Sequence, residues 1–243
     1  MGQNQGSTGG SVNEEDDIVL WPAAADSAYA AARRSLLRRE RELHDLAESV
    51  AAERRALPRG AVVDEYVFRE RPAGPARGDG PVETALADLF GPHDTLVVYH
   101  LMFEPGSGQA CPMCSMWVDG FQGVAAHLAR HTAFAVVAKA GADELRSWGA
   151  RRGWGGLRLL SSLENTFNHD FGVETKDCEQ APGVSVFVRA NGVVRHHYSA
   201  RPELSPTRSE RGIDLLSPVW QVLDLLPAGR GGWYAENSYV EEV

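Results

Sequence analysis

The fold is decided by the stretch Thr95-Leu-Val-Val-Tyr-His-Leu-Met-Phe103, which is followed by Glu104-Pro-Gly-Ser-Gly108 and then by Cys111-Pro-Met-Cys114. The first segment is a near-continuous apolar run rich in β-branched and aromatic residues, which is typical of a strand buried on both faces of a sheet. The Pro- and Gly-containing segment predicts a loop, and the residues from Met113 to about Arg130 predict a helix. The centre of the molecule is therefore predicted to be a strand, a loop and a helix that begins at a C-x-x-C motif.

The segments on either side of this unit predict an α/β domain. The pattern is β-α-β-α-β, then an antiparallel hairpin around the turn Asn191-Gly192, then a final helix. Such an alternation favours a mixed central sheet with helices on both faces. The predicted segments are an edge strand at Val62–Phe68, a helical turn at Val82–Phe90, strands at Phe134–Ala138, Leu157–Ser161, Gly183–Val188 and Val193–Tyr198, and helices at Asp143–Gly149 and Ile213–Leu223.

The N-terminal part of the chain differs in composition. Residues 1–25 are mostly polar and small and predict a disordered tail, whereas residues 26–60 predict a long helical extension. In that extension, apolar residues recur at helical spacing between Arg and Glu, namely Leu36, Leu37, Leu43, Leu46 and Val50. The helix is expected to pack on the main domain, residues 61–230, or on a second subunit, which would make a homodimer. Residues 231–243 are interpreted as a C-terminal tail.

Charge and hydropathy limit the partners of the chain. The net charge of −9 argues against nucleic-acid binding, because such binding depends on Lys and Arg displacing condensed counterions. The longest apolar run is far shorter than the roughly 20 residues of a membrane-spanning helix. The N terminus lacks the basic and then apolar arrangement of a secretory signal, so a cytoplasmic location is expected.

The C-x-x-C motif predicts dithiol redox chemistry. A sulfur at the start of a helix lies among unsatisfied backbone N–H groups, which lower a cysteine pKa from about 8.5 toward about 7 or below. Pro112 has no N–H and suits the first helical turn. Cys114 then lies on the same side as Cys111. Cys111 is therefore predicted to be the nucleophile of a thiol–disulfide oxidoreductase that needs no cofactor, and Cys114 the resolving thiol.

A zinc site is an alternative interpretation of the same cysteines. Structural zinc needs four ligands, and Cys111, Cys114, His127 and His131 could supply them only if the intervening segment were a compact finger. That segment instead predicts a helix that carries core residues, among them Trp117. The redox hypothesis is therefore preferred, with a small-molecule or protein thiol or disulfide as the substrate.

Pro182 extends the pattern beyond the motif. In thioredoxin-like proteins, which this arrangement resembles, a cis-proline precedes the equivalent strand and faces the reactive cysteine. Pro182 comes before the predicted strand at Gly183–Val188 and matches that place. A cis bond is therefore expected before Pro182, although only about 5–6% of X-Pro bonds are cis in general.

Several segments resemble a bacterial thioredoxin-like family that is catalogued only as a domain of unknown function and is related to the peroxiredoxin-like branch of that superfamily. The segments include Tyr66-Val-Phe68, Val98-Tyr-His-Leu-Met-Phe103, Cys111-Pro-Met-Cys-Ser-Met-Trp-Val-Asp-Gly-Phe121, Asp170-Phe-Gly-Val173 and Gly183-Val-Ser-Val-Phe187. The resemblance covers roughly Ser35 to Arg230 and implies a thioredoxin-like α/β fold with a long N-terminal helix. It implies little about function, because fold does not fix function.

On such a scaffold, His100 offers a second hypothesis. It precedes the motif by eleven residues and could support the thiolate, act as a base, or complete a copper site with Cys111 and Cys114, since Cu(I) prefers thiolates. The chain would then be a copper carrier or a metalloenzyme. A peroxidase is less favoured because no Thr-x-x-Cys pattern precedes Cys111. A binding domain with structural cysteines is a further alternative, and Cys178 is a third thiol without an assigned role.

Overall fold

The computed structural model describes residues 21–72, 80–177, 179–202 and 216–239. The chain divides into two units, Met1–Ala56 and Leu57–Val243. The first unit contains α1, Ser27–Arg55, whose N terminus is capped by the Asp26 carboxylate accepting the Tyr29 N–H at 2.7 Å. This confirms the predicted long N-terminal helix. Dimerisation through that helix stays a prediction.

The second unit is built on a seven-stranded mixed sheet within the described residues. Its strands are β1 Val67–Glu70, β2 Val82–Ala85, β3 Thr95–Leu101, β4 Ala133–Ala138, β5 Arg158–Ser161, β6 Gly183–Ala190 and β7 Val193–Ala200. Its helices are α2 Pro112–Leu128, α3 Ala142–Arg152, α4 Phe167–Asp170 and α5 Pro218–Leu223. Among the described residues, no helix combines the length and apolar character that crossing a bilayer requires.

The strand order is β2-β1-β5-β4-β3-β6-β7. Strands β3, β4 and β5 run parallel and are connected through α2 and α3, whereas β6 and β7 form an antiparallel hairpin at the other side of β3. This arrangement confirms the predicted thioredoxin-like α/β fold. It places β3 in the interior of the sheet, and α2 follows from the carboxyl end of that strand.

The predicted helical turn at Val82–Phe90 is wrong in its first half. Residues Val82–Phe90 were expected to form a helical turn, but Val82–Ala85 pair with β1 as a strand, and only Leu86–Phe90 form a short 3-10 helix. The alternating pattern of Val82-Glu-Thr-Ala85 suits an edge strand, in which one face is exposed. The expected edge strand at Val62–Phe68 corresponds to β1, which begins later, at Val67. The edge position was wrong, because β1 pairs with β2 on one side and with β5 on the other.

Alternation along β3 separates two hydrophobic cores. Tyr99 and Leu101 face the core that contains Cys114 and Trp117 of α2. Leu96 and Val98 face the opposite core, which is built around Phe167. Successive strand residues point to opposite faces of a sheet. The β3 side chains that reach the cysteine motif are therefore those on the same face as Tyr99.

The candidate dithiol site

Cys111 occupies the N-cap position of α2, and Pro112 is the first helical residue. The Cys111 N–H donates to the Met102 carbonyl at 2.9 Å, which ties the motif to the end of β3. Pro112 has no N–H to leave unsatisfied in the first helical turn. The predicted strand, loop and helix around the motif therefore stand in the predicted order, and the first sulfur lies at the positive end of a helix.

The loop Glu104–Ala110 is held in place by α3. Gly106 and Gly108 have φ values of +78° and +72°, which glycine adopts without strain. The Glu144 carboxylate accepts both of their N–H groups, at 3.0 Å and 2.8 Å. Arg151 donates to the Gly108 carbonyl at 2.8 Å. These bonds fix the chain immediately before Cys111.

The two cysteines are not joined by a disulfide, and their thiols have opposite pKa shifts. A hydrogen bond from the Cys114 thiol lowers the pKa of Cys111 to about 6, against the effect of partial burial. The backbone N–H groups of Cys114 and Met113 act in the same direction, as does the hydroxyl of Tyr234. The same pairing with Cys111, together with complete burial, raises the pKa of Cys114 well above its ordinary value. At neutral pH the site therefore holds a Cys111 thiolate beside a Cys114 thiol.

Tyr99 lies beneath the second thiol. Its side chain is completely buried, and burial followed by the proximity of Cys114 raises the pKa of Tyr99 well above its ordinary value. The phenol is therefore neutral and can act as a hydrogen-bond donor. Sequence analysis missed this residue, although strand alternation and the apolar run were sufficient to place one β3 side chain on the helix side.

The segment interpreted as a C-terminal tail contributes to the site. The Asn237 side chain donates to the Ala110 carbonyl at 3.0 Å, and the Asn237 carbonyl accepts from Arg152 at 3.0 Å. Arg152 is in turn paired with Asp119 of α2. This network fixes Asn237, three residues after Tyr234, whose hydroxyl contacts Cys111. No local sequence signal pointed to Tyr234 or Asn237.

A cavity of about 150 Å³ lies beside the cysteines. Its wall consists of apolar and aromatic side chains around the two sulfurs: Tyr99, Met102, Met113, Trp117, Pro182, Pro202, Trp220 and Tyr234, with Cys111 and Cys114. None of the described residues that line it is Asp, Glu, Lys or Arg, and the Cys111 thiolate supplies a negative charge at one side. The structure thus brings Pro182 to the cysteines, as predicted from its position in the sequence. Trp117 is a core residue, as expected, and also lines this cavity.

His100 does not lie with the cysteines, which corrects the predicted three-ligand site. Its ring stacks on Phe167 at 5.5 Å between centroids, in the core on the opposite face of the sheet from Cys114. Its Nε2 lies 2.9 Å from the Ser185 hydroxyl, and burial lowers its pKa to about 4. The physical reason is strand alternation: Tyr99, not His100, faces α2.

No group of three His, Cys, Asp or Glu side chains in the described part of the chain is arranged to share a metal ion. The trigonal set of Cys111, Cys114 and His100 is therefore not assembled. The zinc alternative fails for a related reason, because Cys114 and His127 stand at opposite ends of the continuous helix α2. At 1.5 Å per residue, they are separated by roughly 20 Å.

Two other predictions concern Pro182 and Cys178. The peptide bond before Pro182 is trans, since no cis bond occurs among the described residues, so the expected cis isomer is wrong. The Ala181 N–H donates to the Val173 carbonyl at 2.9 Å, and the chain enters β6 two residues later in the trans form that most X-Pro bonds adopt. Cys178 lies outside the described residues.

Comparison with known proteins gives one family match. A family model described as "Bacterial protein of unknown function (DUF899)" matches residues 20–242. Comparison with curated proteins finds no match. Similar solved structures include peroxidoxin BcpB from Mycobacterium tuberculosis, which is 14% identical over 66% of this chain and 96% of that chain, with a TM-score of 0.44.

Two further solved structures are similar at the same level. AhpC from Mycobacterium bovis is 13% identical over 76% of this chain and 98% of that chain, with a TM-score of 0.45. AhpC from Enterococcus faecalis is 11% identical over 73% of this chain and 98% of that chain, with a TM-score of 0.47. The family match, by contrast, extends over both the cysteine motif and the C-terminal segment that holds Tyr234.

Proposed function

We propose that this chain, which belongs to the bacterial protein family of unknown function DUF899, is a thiol–disulfide oxidoreductase that acts through Cys111 and Cys114. The observation that supports this function best is the opposite shift of the two thiols: the pKa of Cys111 is lowered to about 6, and that of Cys114 is raised. Thiol–disulfide exchange needs one thiolate to attack and a second thiol to complete the reaction.

In the first step, the Cys111 thiolate attacks one sulfur of a substrate disulfide. The substrate S–S bond breaks, a substrate thiolate leaves, and a mixed disulfide forms on Cys111. The leaving thiolate takes a proton from solvent. The low pKa of Cys111 favours this step because the attacking form is already populated at neutral pH.

In the second step, Cys114 resolves the mixed disulfide. Once Cys111 is no longer an anion, the pairing that raised the pKa of Cys114 is lost. Cys114 then releases its proton to solvent or to the departing thiolate and attacks the Cys111 sulfur. The second substrate thiol leaves, the Cys111–Cys114 disulfide forms, and two electrons have passed to the substrate. An external dithiol returns the protein to its reduced form by the reverse exchange.

The chemistry needs no cofactor, and we place it in the cytoplasm, where thiols are kept reduced. The substrate is a small-molecule or protein disulfide. Copper chemistry is not favoured because His100, the proposed third ligand, faces the other core. If metal analysis of freshly purified protein found stoichiometric copper that disappeared in Cys111→Ser, the exchange function would be wrong.

The test is single-turnover exchange followed by intact mass, in a Cys178→Ser background that removes the third thiol. With hydroxyethyl disulfide, the protein with both motif cysteines should lose two hydrogens and release two mercaptoethanol molecules. Cys114→Ser should stop at a stable mixed disulfide on Cys111. Cys111→Ser should react far more slowly than Cys114→Ser. Equal reaction rates for the two single variants would overturn the assignment of the nucleophile and with it the proposed function.

A further inference from the structure

The cavity beside Cys111 has the size of one small ring. Its volume is about 150 Å³, and an apolar cavity of about that volume in another protein holds one benzene molecule. Methionine and aromatic side chains such as Met113 and Trp117 form its wall, and sulfur and ring faces make favourable contacts with an aromatic guest. A flat six-membered ring therefore fits this space, whereas a folded peptide segment does not.

The charge of the wall favours neutral guests over anionic ones. None of the described lining residues is Asp, Glu, Lys or Arg, and the Cys111 thiolate is itself an anion. A cationic ring would lose that thiolate as its partner once the mixed disulfide forms. Moving an ionised group from water into such surroundings is strongly unfavourable without a partner of opposite charge. The net charge of the chain, −9, further disfavours an anionic guest. A carboxylate-bearing ring should therefore enter poorly.

One buried polar group in the wall has no partner among the described residues, namely the indole Nε1 of Trp220, whose side chain is 3% exposed. An indole N–H can only donate. The hydroxyl of Tyr99 pairs with the Cys114 thiol instead. A buried donor without an acceptor costs free energy, and a guest that carries an acceptor atom would recover that cost.

From the size, the charge and the unsatisfied donor, we infer that this cavity binds the substrate and that the substrate is a neutral disulfide bearing a single six-membered ring with a hydrogen-bond acceptor. This inference rests on the proposed function, because the guest must present a sulfur to Cys111. The ring occupies the cavity, and the acceptor atom lies toward Trp220. The preferred substrate is thus a small molecule and not a protein.

The proposed reaction is a two-electron reduction of the ring disulfide by the protein dithiol. The Cys111 thiolate attacks the sulfur attached to the bound ring, and the other ring thiolate leaves. Cys114 then attacks Cys111, the bound ring thiol is released with a proton, and the protein disulfide forms. One ring disulfide and one protein dithiol give two ring thiols and one protein disulfide.

The experiment compares three disulfides on the reduced Cys178→Ser protein: neutral 4,4′-dithiodipyridine, dianionic 5,5′-dithiobis(2-nitrobenzoate), and neutral but ringless hydroxyethyl disulfide. Each rate is divided by the rate of the same disulfide with 1-thioglycerol, a neutral monothiol, at the same pH, which removes intrinsic reactivity. High salt screens the net charge of the chain. The neutral ring compound should be favoured by roughly tenfold or more over both others, as expected for one hydrogen bond plus ring burial. Equal normalised rates would overturn the inference.

Trp220→Phe tests the hydrogen bond while the ring of the side chain stays in place. It should lower the normalised rate for 4,4′-dithiodipyridine by about fivefold, and that for hydroxyethyl disulfide by much less. Trp148→Phe is the matched control, since the Trp148 Nε1 is also buried without a partner in the described part of the chain but lies outside the cavity wall. An equal loss in both variants would contradict the assigned role of Trp220.

A binding measurement separates this inference from the proposed function. The Cys111→Ser, Cys114→Ser double variant cannot exchange, so it is titrated with 4-methylpyridine, with 4-pyridinecarboxylate as the charged control, by ligand-observed NMR. Binding of the neutral ring alone would support the cavity assignment even if every disulfide failed to react. Exchange without ring preference and without 4-methylpyridine binding would overturn this inference and leave the proposed function intact.

Discussion

The hydroxyl of Tyr234 donates a hydrogen bond to the Cys111 sulfur, so a residue of the C-terminal segment helps to set the ionisation of the thiol at the start of α2. This bond favours the thiolate because a charged acceptor gains more from a donor than a neutral thiol does. It also places an aromatic ring at the mouth of the cavity beside the cysteines.

Replacement of Tyr234 by Phe should therefore raise the pKa of Cys111 above about 6. Because Tyr234 is 51% exposed, water competes with this hydrogen bond, and the change in the ionisation constant of Cys111 should be well below the roughly tenfold expected for a buried bond to an ionised group. The measurement is the rate of iodoacetamide alkylation against pH in the Cys178→Ser background. Tyr239→Phe is the control, since Tyr239 lies in the same segment but is 62% exposed. A Tyr234→Phe profile that superimposes on that of the control would show that the Tyr234 hydroxyl has no such effect.

In the protein that has both Cys111 and Cys114, the rate of alkylation against pH should have its midpoint at a low pH. With a pKa of about 6, Cys111 is about nine-tenths thiolate at pH 7, and its alkylation should slow only as the pH falls below the midpoint. An ordinary thiol would lose reactivity already below about pH 8.5. Cys114→Ala should move the midpoint of the alkylation profile upward, because it removes the hydrogen bond from Cys114, which is the largest cause of the lowered pKa. A midpoint near 8.5 in the protein with both motif cysteines would contradict the opposite shifts of the two thiols.

Glu144 should matter for the rate of exchange, although it does not touch either sulfur. Its carboxylate accepts the Gly106 and Gly108 N–H groups and so fixes the loop before Cys111. Glu144→Ala removes both acceptors and should cost about 1 kcal/mol of stability and slow exchange severalfold. Glu144→Gln keeps one acceptor oxygen, so its stability and its exchange rate should lie between those of the unmodified protein and those of Glu144→Ala. Urea unfolding and single-turnover exchange measure the two effects, and unchanged exchange in Glu144→Ala would remove this positioning role.

The core of the fold and the two sulfurs were predictable from the sequence because their signals are local. The apolar run of β3, the glycines after it and the Pro112 that begins α2 all lie within the eighteen residues from Thr95 to Pro112. Each of them favours a particular backbone conformation. The order of strand, loop and helix follows from them without tertiary information.

The face of the sheet on which His100 lies could not be predicted from local sequence signals. The apolar run predicts a strand that is buried on both faces, but it does not say which of Tyr99 and His100 faces the helix side. That choice depends on how β3 pairs with β4 and β6, which fixes the register. The isomer before Pro182 and the approach of Tyr234 depend likewise on contacts between segments distant in the chain. Sequence order alone carries no information about them.

Asp119 of α2 connects segments that are distant in the chain, and its replacement should weaken the contacts between them. Its carboxylate accepts the Trp154 indole N–H at 2.8 Å and pairs with Arg152, which in turn donates to the Asn237 carbonyl. In Asp119→Ala, the Trp154 N–H would be left without its acceptor in a side chain that is only 1% exposed. An unsatisfied buried donor costs about 1–3 kcal/mol.

Asp119→Ala should therefore lower the free energy of unfolding by about 1–3 kcal/mol and, because the Asn237 contact weakens with it, raise the pKa of Cys111 through a displaced Tyr234. Asp119→Asn retains one acceptor oxygen for Trp154 and should recover most of the stability. Asp88→Ala, at an exposed carboxylate of the 3-10 helix, should change stability by less than about 0.5 kcal/mol. Urea unfolding and the alkylation profile report the two effects separately. Loss of stability with an unchanged Cys111 profile would show that Arg152 and Asn237 hold the C-terminal segment without help from Asp119.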